Sequence, residues 1–255
     1  MTDSFTGMRA AGKLAAMTLD FITPYVQAGV TTEYLDEICH RFMTDNGAIP
    51  ATLGYNGYPK STCISLNEVV CHGIPSPRKL ADGDILNIDV TAILYGWHGD
   101  TSRMFYVGAP SVAARQLVES TYKAMMLGIN AVRPGTTTGD IGHAIQTYVE
   151  SKNYSVVRDF CGHGIGREFH TEPSVLHFGR PKKGAVLHEG MTFTIEPMVN
   201  LGKRNVVILD DDWTAVTADG SLSAQFEHTV GVTKSGVEIF TLSPRGFNFP
   251  PYSSV

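Results

Sequence analysis

Two short segments of this chain share one pattern, and that pattern restricts what the chain can fold into. Residues 83–89 and 190–196 each start with glycine and end with isoleucine followed by a carboxylate. After each segment, a second carboxylate stands within two residues of a hydroxyl side chain and shortly before an apolar run. The four acids are Asp89, Asp100, Glu196 and Glu227. Because an unpaired carboxylate is costly to bury, the pattern predicts two similar hairpins whose carboxylates meet around positive charge.

A glycine-rich segment at residues 162–166 adds a histidine to these acids. His163 has a glycine on either side, so no bulky neighbour crowds a ligand at its ring. The glycine spacing does not match G-x-G-x-x-G, and no clear helix follows, which disfavours a dinucleotide-binding loop. A histidine in such a segment could serve many folds by itself. Together with the four acids, His163 completes a predicted set of five oxygen and nitrogen ligands.

The charge of this set predicts a cofactor and a reaction. Four carboxylates and one neutral imidazole balance two divalent cations. Oxygen-rich ligation with one nitrogen and no thiolate suits Mn(II), Fe(II), Co(II) or Zn(II), and does not distinguish among them. Water shared by two such ions is acidified enough to attack a carbonyl, which predicts hydrolysis of an amide or an ester.

Composition narrows the class of protein. The chain is 43% hydrophobic and 18% charged, which is typical of a globular protein, and we expect one catalytic domain over residues 1–255. The net charge of −5 does not favour binding to nucleic acid. Four cysteines without a Cys-x-x-Cys pair, no signal peptide at the N-terminus and no membrane-length apolar run predict reduced thiols and a cytoplasmic location.

The secondary-structure pattern is a duplicated α+β plan. Apolar residues repeat at helical spacing from Met8 to a predicted end at Gly29, and a second helix is predicted after Thr31. Two further helices are predicted over 111–131 and 138–152, and strands over 62–66, 85–95, 103–107, 155–158, 191–199, 205–209 and 226–233. A turn at residues 96–99 is predicted to bring Asp89 and Asp100 to facing positions in one hairpin.

Several motifs together resemble those of the type I methionine aminopeptidases. They are Leu53-Gly54-Tyr55-Asn56-Gly57-Tyr58-Pro59-Lys60-Ser61, Asn67-Glu68-Val69-Val70-Cys71-His72-Gly73-Ile74-Pro75, Ile88-Asp89-Val90-Thr91, Gly99-Asp100-Thr101-Ser102, Gly162-His163-Gly164-Ile165-Gly166, Phe193-Thr194-Ile195-Glu196-Pro197-Met198 and Glu227-His228-Thr229. The resemblance extends from about Met8 to Leu242. It implies a pita-bread fold, in which a central antiparallel sheet with pseudo-two-fold symmetry is flanked by helices. It also implies removal of the N-terminal methionine from nascent proteins whose second residue is small.

The resemblance assigns roles to individual residues. Asp100 and Glu227 would bridge two metal ions, Asp89 would bind one of them, and His163 with Glu196 would bind the other. Glu196 would also carry a proton during the attack, while His72 and His170 would contact the substrate amide. The methionine pocket would be formed by Tyr55, Tyr58, Cys63, Phe169 and Trp213. A monovalent cation, Na⁺ or K⁺, would be held by oxygens of Asn87, Val90 and Ser223.

The chain departs from the family pattern at the rim of the substrate cleft. Thr52, Asn56 and Thr171 stand where bacterial relatives often carry cysteine, histidine and an acid. These departures concern the rim of the substrate cleft and leave the metal ligands intact. The histidines at positions 40, 143, 177 and 188 match no family role and are expected to be structural.

The resemblance also implies partners. They are nascent polypeptide N-termini with a free methionine, and docking on the ribosome stays open. We expect a monomer that binds neither a membrane nor a specific nucleic-acid sequence.

Two other functions remain open from the sequence. A prolidase or aminopeptidase P would share all five ligands, but the 88 residues before Asp89 leave little room for the separate N-terminal domain such enzymes usually carry. A binding module on the same fold would need no catalysis, but such modules tend to lose ligands, and this chain keeps all of them. Metal content, and cleavage of Met-Ala-Ser against Xaa-Pro peptides, would distinguish the three.

Overall fold

The computed structural model describes residues 5–252 of the 255-residue chain. Its α-helices are α1 (Thr6–Ile22), α2 (Thr32–Asp45), α3 (Val112–Asn130) and α4 (Thr138–Ser151), and short 3₁₀ turns lie at Thr23–Tyr25 and Tyr55–Gly57. Its strands are β1 (Ile49–Pro50), β2 (Cys63–Leu66), β3 (Val69–Cys71), β4 (Ile85–Leu94), β5 (Trp97–Tyr106), β6 (Ser155–Val156), β7 (Gly162–Gly164), β8 (Thr171–Val175), β9 (Thr192–Ile195), β10 (Met198–Asn200), β11 (Val206–Ile208), β12 (Ala215–Thr217), β13 (Ser223–Gln225), β14 (Glu227–Val232) and β15 (Val237–Ile239). Within residues 5–252, none of the helices combines the length and apolarity that crossing a bilayer requires.

Side-chain caps fix where three of the helices begin. The hydroxyl of Thr31 accepts a hydrogen bond from the main chain at the start of α2, and Ser111 does the same for α3. Thr137 and Asp140 form a reciprocal capping box at α4. The predicted end of the first helix at Gly29 is wrong, because α1 stops at Ile22 and Pro24, which cannot donate a helical N–H, follows in a 3₁₀ turn.

The internal repeat seen in the sequence is a pseudo-two-fold in the main sheet. The nine strands run in the order β1-β4-β5-β14-β9-β7-β8, with β2 added on β4 and β15 added on β14. The hairpin β4–β5 and the pair β14–β9 therefore meet at the β5–β14 boundary, as two similar antiparallel halves. Apolar residues of α1 and α2 pack on the β4–β5 half, and those of α3 and α4 pack on the β9–β14 half. The α+β class and its central antiparallel sheet are confirmed.

The β4–β5 turn differs from the prediction and changes the position of its acids. The turn consists of Tyr95 and Gly96, both with positive φ, so β5 begins at Trp97 rather than near residue 103. Asp89 is paired with Ser102, and Asp100 is paired with Thr91. The two acids are therefore diagonal neighbours on one face of the sheet, not directly opposite residues as predicted.

The predicted strand over 191–199 is divided in two. β9 ends at Ile195 and β10 starts at Met198, because Pro197 has no N–H to continue a ladder. β10 joins a small sheet with β13 and β6, while β3 forms another with β12 and β11. Glu196 therefore lies in the gap between two strands.

Helix α1 packs against β5 without any space between their main chains. A Cβ added at Gly99 would lie 2.2 Å from the carbonyl carbon of Ala11. We therefore expect Gly99→Ala to lower the free energy of unfolding by about 1–3 kcal/mol or more, because neither backbone can move aside. Urea unfolding measures this. Gly236→Ala, where a Cβ meets nothing within 4 Å, should change it by less than about 0.5 kcal/mol. Equal stability of the two variants would mean that α1 and β5 are not so close.

Candidate metal centre and substrate cavity

A cavity of about 640 Å³ opens over the central strands of the nine-stranded sheet. The register explains why acids from separate strands reach it. Asp89 on β4, Ser102 on β5 and Glu227 on β14 form one row across the sheet, so their side chains share a face. Asp100 lies two residues from Ser102 along β5 and therefore points to that same face. His163 on β7 and Glu196 after β9 complete the lining, so all five predicted ligands lie in one cavity.

The distances at the centre of the cavity leave room for an ion. His163 Nε2 lies 3.6 Å from Asp100 Oδ2 and 3.7 Å from Glu196 Oε1, both beyond a normal hydrogen bond. Asp100, His163 and Glu227 each offer a ligand atom, and these atoms all lie within 4.8 Å of one another. Three ligands of this chemistry at this spacing can surround one divalent cation.

The electrostatics of the cavity also favour a cation. Burial, together with the charges of neighbouring carboxylates, raises the pKa of Asp89 and of Glu227 well above the ordinary values. Burial raises the pKa of Glu196 to about 7. Asp89 Oδ1 is buried and has no hydrogen-bond partner among residues 5–252. An unpaired buried carboxylate oxygen among other acids is unfavourable unless positive charge is added, so the residues present fit divalent metal ions.

Hydroxyl groups that the sequence analysis did not single out hold these ligands in place. Thr194 Oγ1 accepts a 3.0 Å hydrogen bond from the main-chain N–H of His163 and donates one of 2.6 Å to Glu196 Oε1. On the other half, Thr91 Oγ1 donates to Asp100 Oδ1 at 2.7 Å. Thr194 lies two residues before Glu196, a spacing that was visible in the sequence, whereas Thr91 reaches Asp100 as its partner across β4 and β5.

The two histidines assigned to the substrate amide flank the cavity. His170 Nδ1 lies 2.8 Å from the hydroxyl of Tyr55, and its ring centroid lies 4.1 Å from that of His163. His72 packs edge-on against Phe160. Burial lowers the pKa of His72, and burial together with repulsion from His163 lowers the pKa of His170 to about 4. Both rings are therefore neutral at pH 7 and can donate or accept a hydrogen bond.

The predicted methionine-pocket residues fall into two groups beside the cavity, and none of them lines the cavity itself. Tyr55 and Phe169, with ring centroids 4.8 Å apart, adjoin His170. Tyr58 and Trp213, at 5.1 Å in a T-shaped pair, adjoin His72 through the Trp213 ring.

Cys63, the fifth predicted pocket residue, is paired with Asp89 across β2 and β4. Burial raises its pKa well above the ordinary value, so it is a neutral thiol and not a thiolate ligand. Lining residues that the sequence analysis missed include Cys71, Phe160, Cys161, Met198 and Gln225.

The residues predicted to bind a monovalent cation are divided between two environments. The Asn87 side chain donates to the Gln225 carbonyl at 2.8 Å, which joins β4 to the strand that carries Ser223. Ser223 Oγ lies 2.8 Å from Asn200 Oδ1. The side chain of Val90 packs in the core beneath α1 and α2. The cation site stays a prediction.

The three departures from the family pattern all lie outside the longest strands. Thr52 donates to the Ser61 carbonyl at 2.6 Å, and Asn56 adopts a left-handed φ of 47° within a 3₁₀ turn. Thr171 begins β8 and lines the cavity. Thr171 is therefore the departure that faces the substrate space directly.

Comparisons with known proteins identify the family of this chain. The sequence profile of metallopeptidase family M24 matches residues 6–234. A methionine aminopeptidase from Rickettsia prowazekii (strain Madrid E) is 60% identical over 249 residues, which cover 97% of this chain and 96% of the relative. A crystal structure of methionine aminopeptidase from R. prowazekii has a TM-score of 0.93 at 60% identity, covering 94% of this chain and 97% of that one. A methionine aminopeptidase from Thermotoga maritima gives a TM-score of 0.92 at 39% identity, with coverage of 94% and 97%.

A more distant structure shares the fold alone. The prolidase from Pyrococcus horikoshii has a TM-score of 0.74 at 22% identity and is matched over 94% of this chain but 62% of its own. Fold and cavity together define a metallopeptidase with the pita-bread fold. The chain belongs to metallopeptidase family M24 and, within it, to the type I methionine aminopeptidases. Its family implies divalent metal ions, for which Asp100, His163 and Glu227 form a candidate site.

The buried acids predict how the stability of the metal-free protein changes with pH. Folding raises the pKa of Glu196 from 4.5 to about 7. Between these pH values the carboxyl group is deprotonated in the unfolded chain but still protonated in the folded protein, so the free energy of unfolding falls as pH rises. The pKa of His163 is also raised: burial lowers it, but Asp100 and Glu196 outweigh burial, and the resulting stability is likewise lost as pH rises. We expect the Tm of metal-free protein to drop over this window and Mn(II) to restore it.

Calorimetry at several pH values, with and without Mn(II), measures this effect. Glu196→Gln should flatten the pH dependence, whereas Glu189→Gln, at an exposed position, should not alter it. A Tm that stays constant or rises over the window would contradict the assignment.

Proposed function

We propose that the protein removes the N-terminal methionine from polypeptides whose second residue is small, using two divalent cations. The observation that carries the proposal is the convergence of Asp89, Asp100, His163, Glu196 and Glu227 in one buried cavity. The names of the most similar relatives support the choice of substrate. Residues 1–255 would act as one catalytic domain.

The division of the ligands between the two ions follows the resemblance to the type I methionine aminopeptidases. Asp100 and Glu227 lie on the adjacent strands β5 and β14 and would contact both ions. Asp89, whose Oδ1 has no other partner among residues 5–252, would bind the first, and His163 with Glu196 would bind the second. Co(II), Mn(II), Fe(II) and Zn(II) all suit these donors. When bound, the cations supply an acidified water and a Lewis acid for the scissile carbonyl.

The chain's own residues supply proton transfer and orientation. Glu196 lines the cavity beside His163, where a carboxylate can accept a proton from water and release it again. It would take the proton of the attacking water and deliver it to the leaving amine. The neutral rings of His72 and His170 would hydrogen-bond the peptide group as charge develops on it.

The aromatic groups beside the cavity would receive the methionine side chain. The rings of Tyr55 and Phe169 on one side, and of Tyr58 and Trp213 on the other, favour a flexible thioether. Cys63 would form the floor of the pocket, next to Asp89. A preference for a small second residue follows from the resemblance to the type I methionine aminopeptidases.

Further features of the proposal follow from the same site. Substrates would be nascent chains with a free N-terminal amine, so any formyl group must be removed first, and docking at the ribosome would supply them. All four cysteines are free, and three of them are buried, which supports action in the cytoplasm. Na⁺ or K⁺ at Asn87, Val90 and Ser223 would stabilise strands close to the centre.

Peptide specificity tests the proposed function directly. We expect Met-Ala-Ser, Met-Gly-Ser and Met-Ser-Ser peptides to be cleaved after methionine, and Met-Leu-Ser to be cleaved far more slowly. Each extra methylene in a packed site costs about 1–3 kcal/mol, so kcat/KM should fall at least about tenfold. Mass spectrometry of metal-loaded protein with each peptide measures this. Equal rates on Met-Ala-Ser and Met-Leu-Ser would contradict the size limit, and cleavage of an Ala-Pro peptide alone would indicate a prolidase.

His72 and Glu196 should fail in different ways when replaced. His72→Ala should keep both ions but lower kcat by about 10²–10⁴-fold, because the lost contact acts mainly in the transition state. Glu196→Gln should lose both metal affinity and turnover, because a ligand charge and a proton carrier disappear together. Elemental analysis and steady-state kinetics separate these outcomes. Loss of an ion in His72→Ala, or turnover at the parent rate, would show that its role is wrongly assigned.

A further inference from the structure

His177 is a buried histidine that the proposed mechanism does not use. It follows β8, the last strand along the order of the nine-stranded sheet, and its exposed fraction is 0%. Its Nε2 accepts a 3.0 Å hydrogen bond from the main-chain N–H of Glu196. Since a ring nitrogen that accepts a hydrogen bond carries no proton, His177 is neutral, with its proton on Nδ1.

The other ring nitrogen of His177, Nδ1, makes no hydrogen bond among the described residues that would explain a histidine at this position. Nδ1 is buried and has no hydrogen-bond partner within residues 5–252. An unpaired buried donor is unfavourable, and an apolar side chain of similar size would avoid it. The acceptor at Nε2 is therefore what the histidine adds at this position.

The two halves of the pseudo-two-fold explain why Glu196 needs an acceptor from outside its strand. Asp89, its counterpart, lies inside β4 and has ladder partners on both sides, at Cys63 of β2 and Ser102 of β5. Glu196 lies beyond the end of β9 and before Pro197, which cannot donate to a ladder. The main-chain N–H of Glu196 is therefore left without a strand partner, and His177 satisfies it.

Other contacts hold the carboxylate and carbonyl of Glu196 but not its N–H. Thr194 donates to Oε1 at 2.6 Å. Gln225 Nε2 lies 3.4 Å from both the main-chain carbonyl oxygen and Oε2, at the long limit of a hydrogen bond. The hydrogen bond from the Glu196 N–H to His177 is thus shorter than the contact between Gln225 and the Glu196 carbonyl oxygen.

We propose that His177 is a positioning residue for Glu196. By accepting the Glu196 N–H it fixes the backbone at the break between β9 and β10, and so sets the direction in which the carboxylate approaches the metal-binding space. The inference rests on the proposed function, because it concerns a carboxylate assigned there as metal ligand and proton carrier.

Two substitutions at position 177 distinguish the effect of the hydrogen-bond acceptor from the effect of side-chain packing. His177→Phe keeps a planar ring but removes the acceptor. His177→Gln keeps an acceptor, since its amide oxygen reaches the position of Nε2. Titration calorimetry of the metal-free proteins with Mn(II), and kinetics on Met-Ala-Ser after loading, are the measurements. Val149 is a buried residue of α4 in the hydrophobic core, away from the cavity, so Val149→Ala is a control for lost stability alone.

We expect His177→Phe to bind Mn(II) about 10–100-fold more weakly and to lose kcat by a similar factor, with KM changed less than about twofold. His177→Gln should recover most of both losses, and Val149→Ala should lower Tm without weakening Mn(II) binding. Parent-like Mn(II) affinity and kcat in His177→Phe, or equal losses in the Phe and Gln variants, would overturn the proposal.

If His177→Phe does not fold, His177→Asn replaces it. Its amide oxygen is one methylene too short to reach Glu196, so it should be impaired where His177→Gln is not, and equal behaviour of the two would overturn the proposal. Failure of the parent protein to bind Mn(II) or to cleave Met-Ala-Ser would instead overturn the proposed function. The two failures are therefore distinguishable.

Discussion

Repulsion among buried carboxylates is the interaction around which this structure is organised. Asp100 and Glu227 are almost completely inaccessible, and Asp89 keeps an oxygen with no protein partner among the described residues. Such a cluster opposes folding at neutral pH, so its cost must be offset elsewhere. Two apolar cores, one beneath each half of the main sheet, provide the offset. At Gly99 the main chains of α1 and β5 lie in direct contact. This close packing restricts the movement of β5, which carries Asp100.

The pseudo-two-fold symmetry of the main sheet brings acids from both halves to one cavity, but the two halves are not equivalent. In the first half, β4 runs unbroken past Asp89, which has ladder partners on both sides. In the second half, Pro197 interrupts the chain next to Glu196, and side chains replace the ladder: Thr194 at the carboxylate and His177 at the main-chain N–H. The interruption gives Glu196 a different environment from its counterpart. Under the proposed function this difference matters, because a carboxylate that would both bind an ion and carry a proton needs an environment unlike that of a carboxylate that would only bind an ion.

The sequence was most informative where structure depends on neighbouring residues. The repeated pattern of residues 83–89 and 190–196 predicted four acids at apolar strands, and all four line one cavity with His163. Prediction from the sequence failed at one tight turn and wherever distant contacts decide the structure. A turn at Tyr95-Gly96, set by two residues with positive φ, shifted Asp100 to a diagonal position from Asp89. Strands as short as β3 and β7 have too few residues to show a period, and they exist because neighbouring strands supply their hydrogen bonds. The role of His177 could not be read from its surroundings in sequence, because Glu196 lies 19 residues further along the chain.

The ligands and the substrate contacts come from different kinds of backbone, and this has a consequence for specificity. Asp89, Asp100 and Glu227 stand on long, paired strands, where a shift of one residue would turn each side chain to the opposite face. His72, in contrast, follows the end of β3 with a φ of 56°, and a Cβ at Gly73 would meet the Ile64 carbonyl oxygen at 2.3 Å. Tyr55 and His170 likewise lie outside the long strands. The positions of these three acids are thus fixed by register, whereas the groups that would meet the substrate depend on local loop conformation. Loops tolerate substitution better than long paired strands do, so substitutions at Thr52 and Asn56, which lie outside the strands, can alter the cleft without moving the acids of β4, β5 and β14.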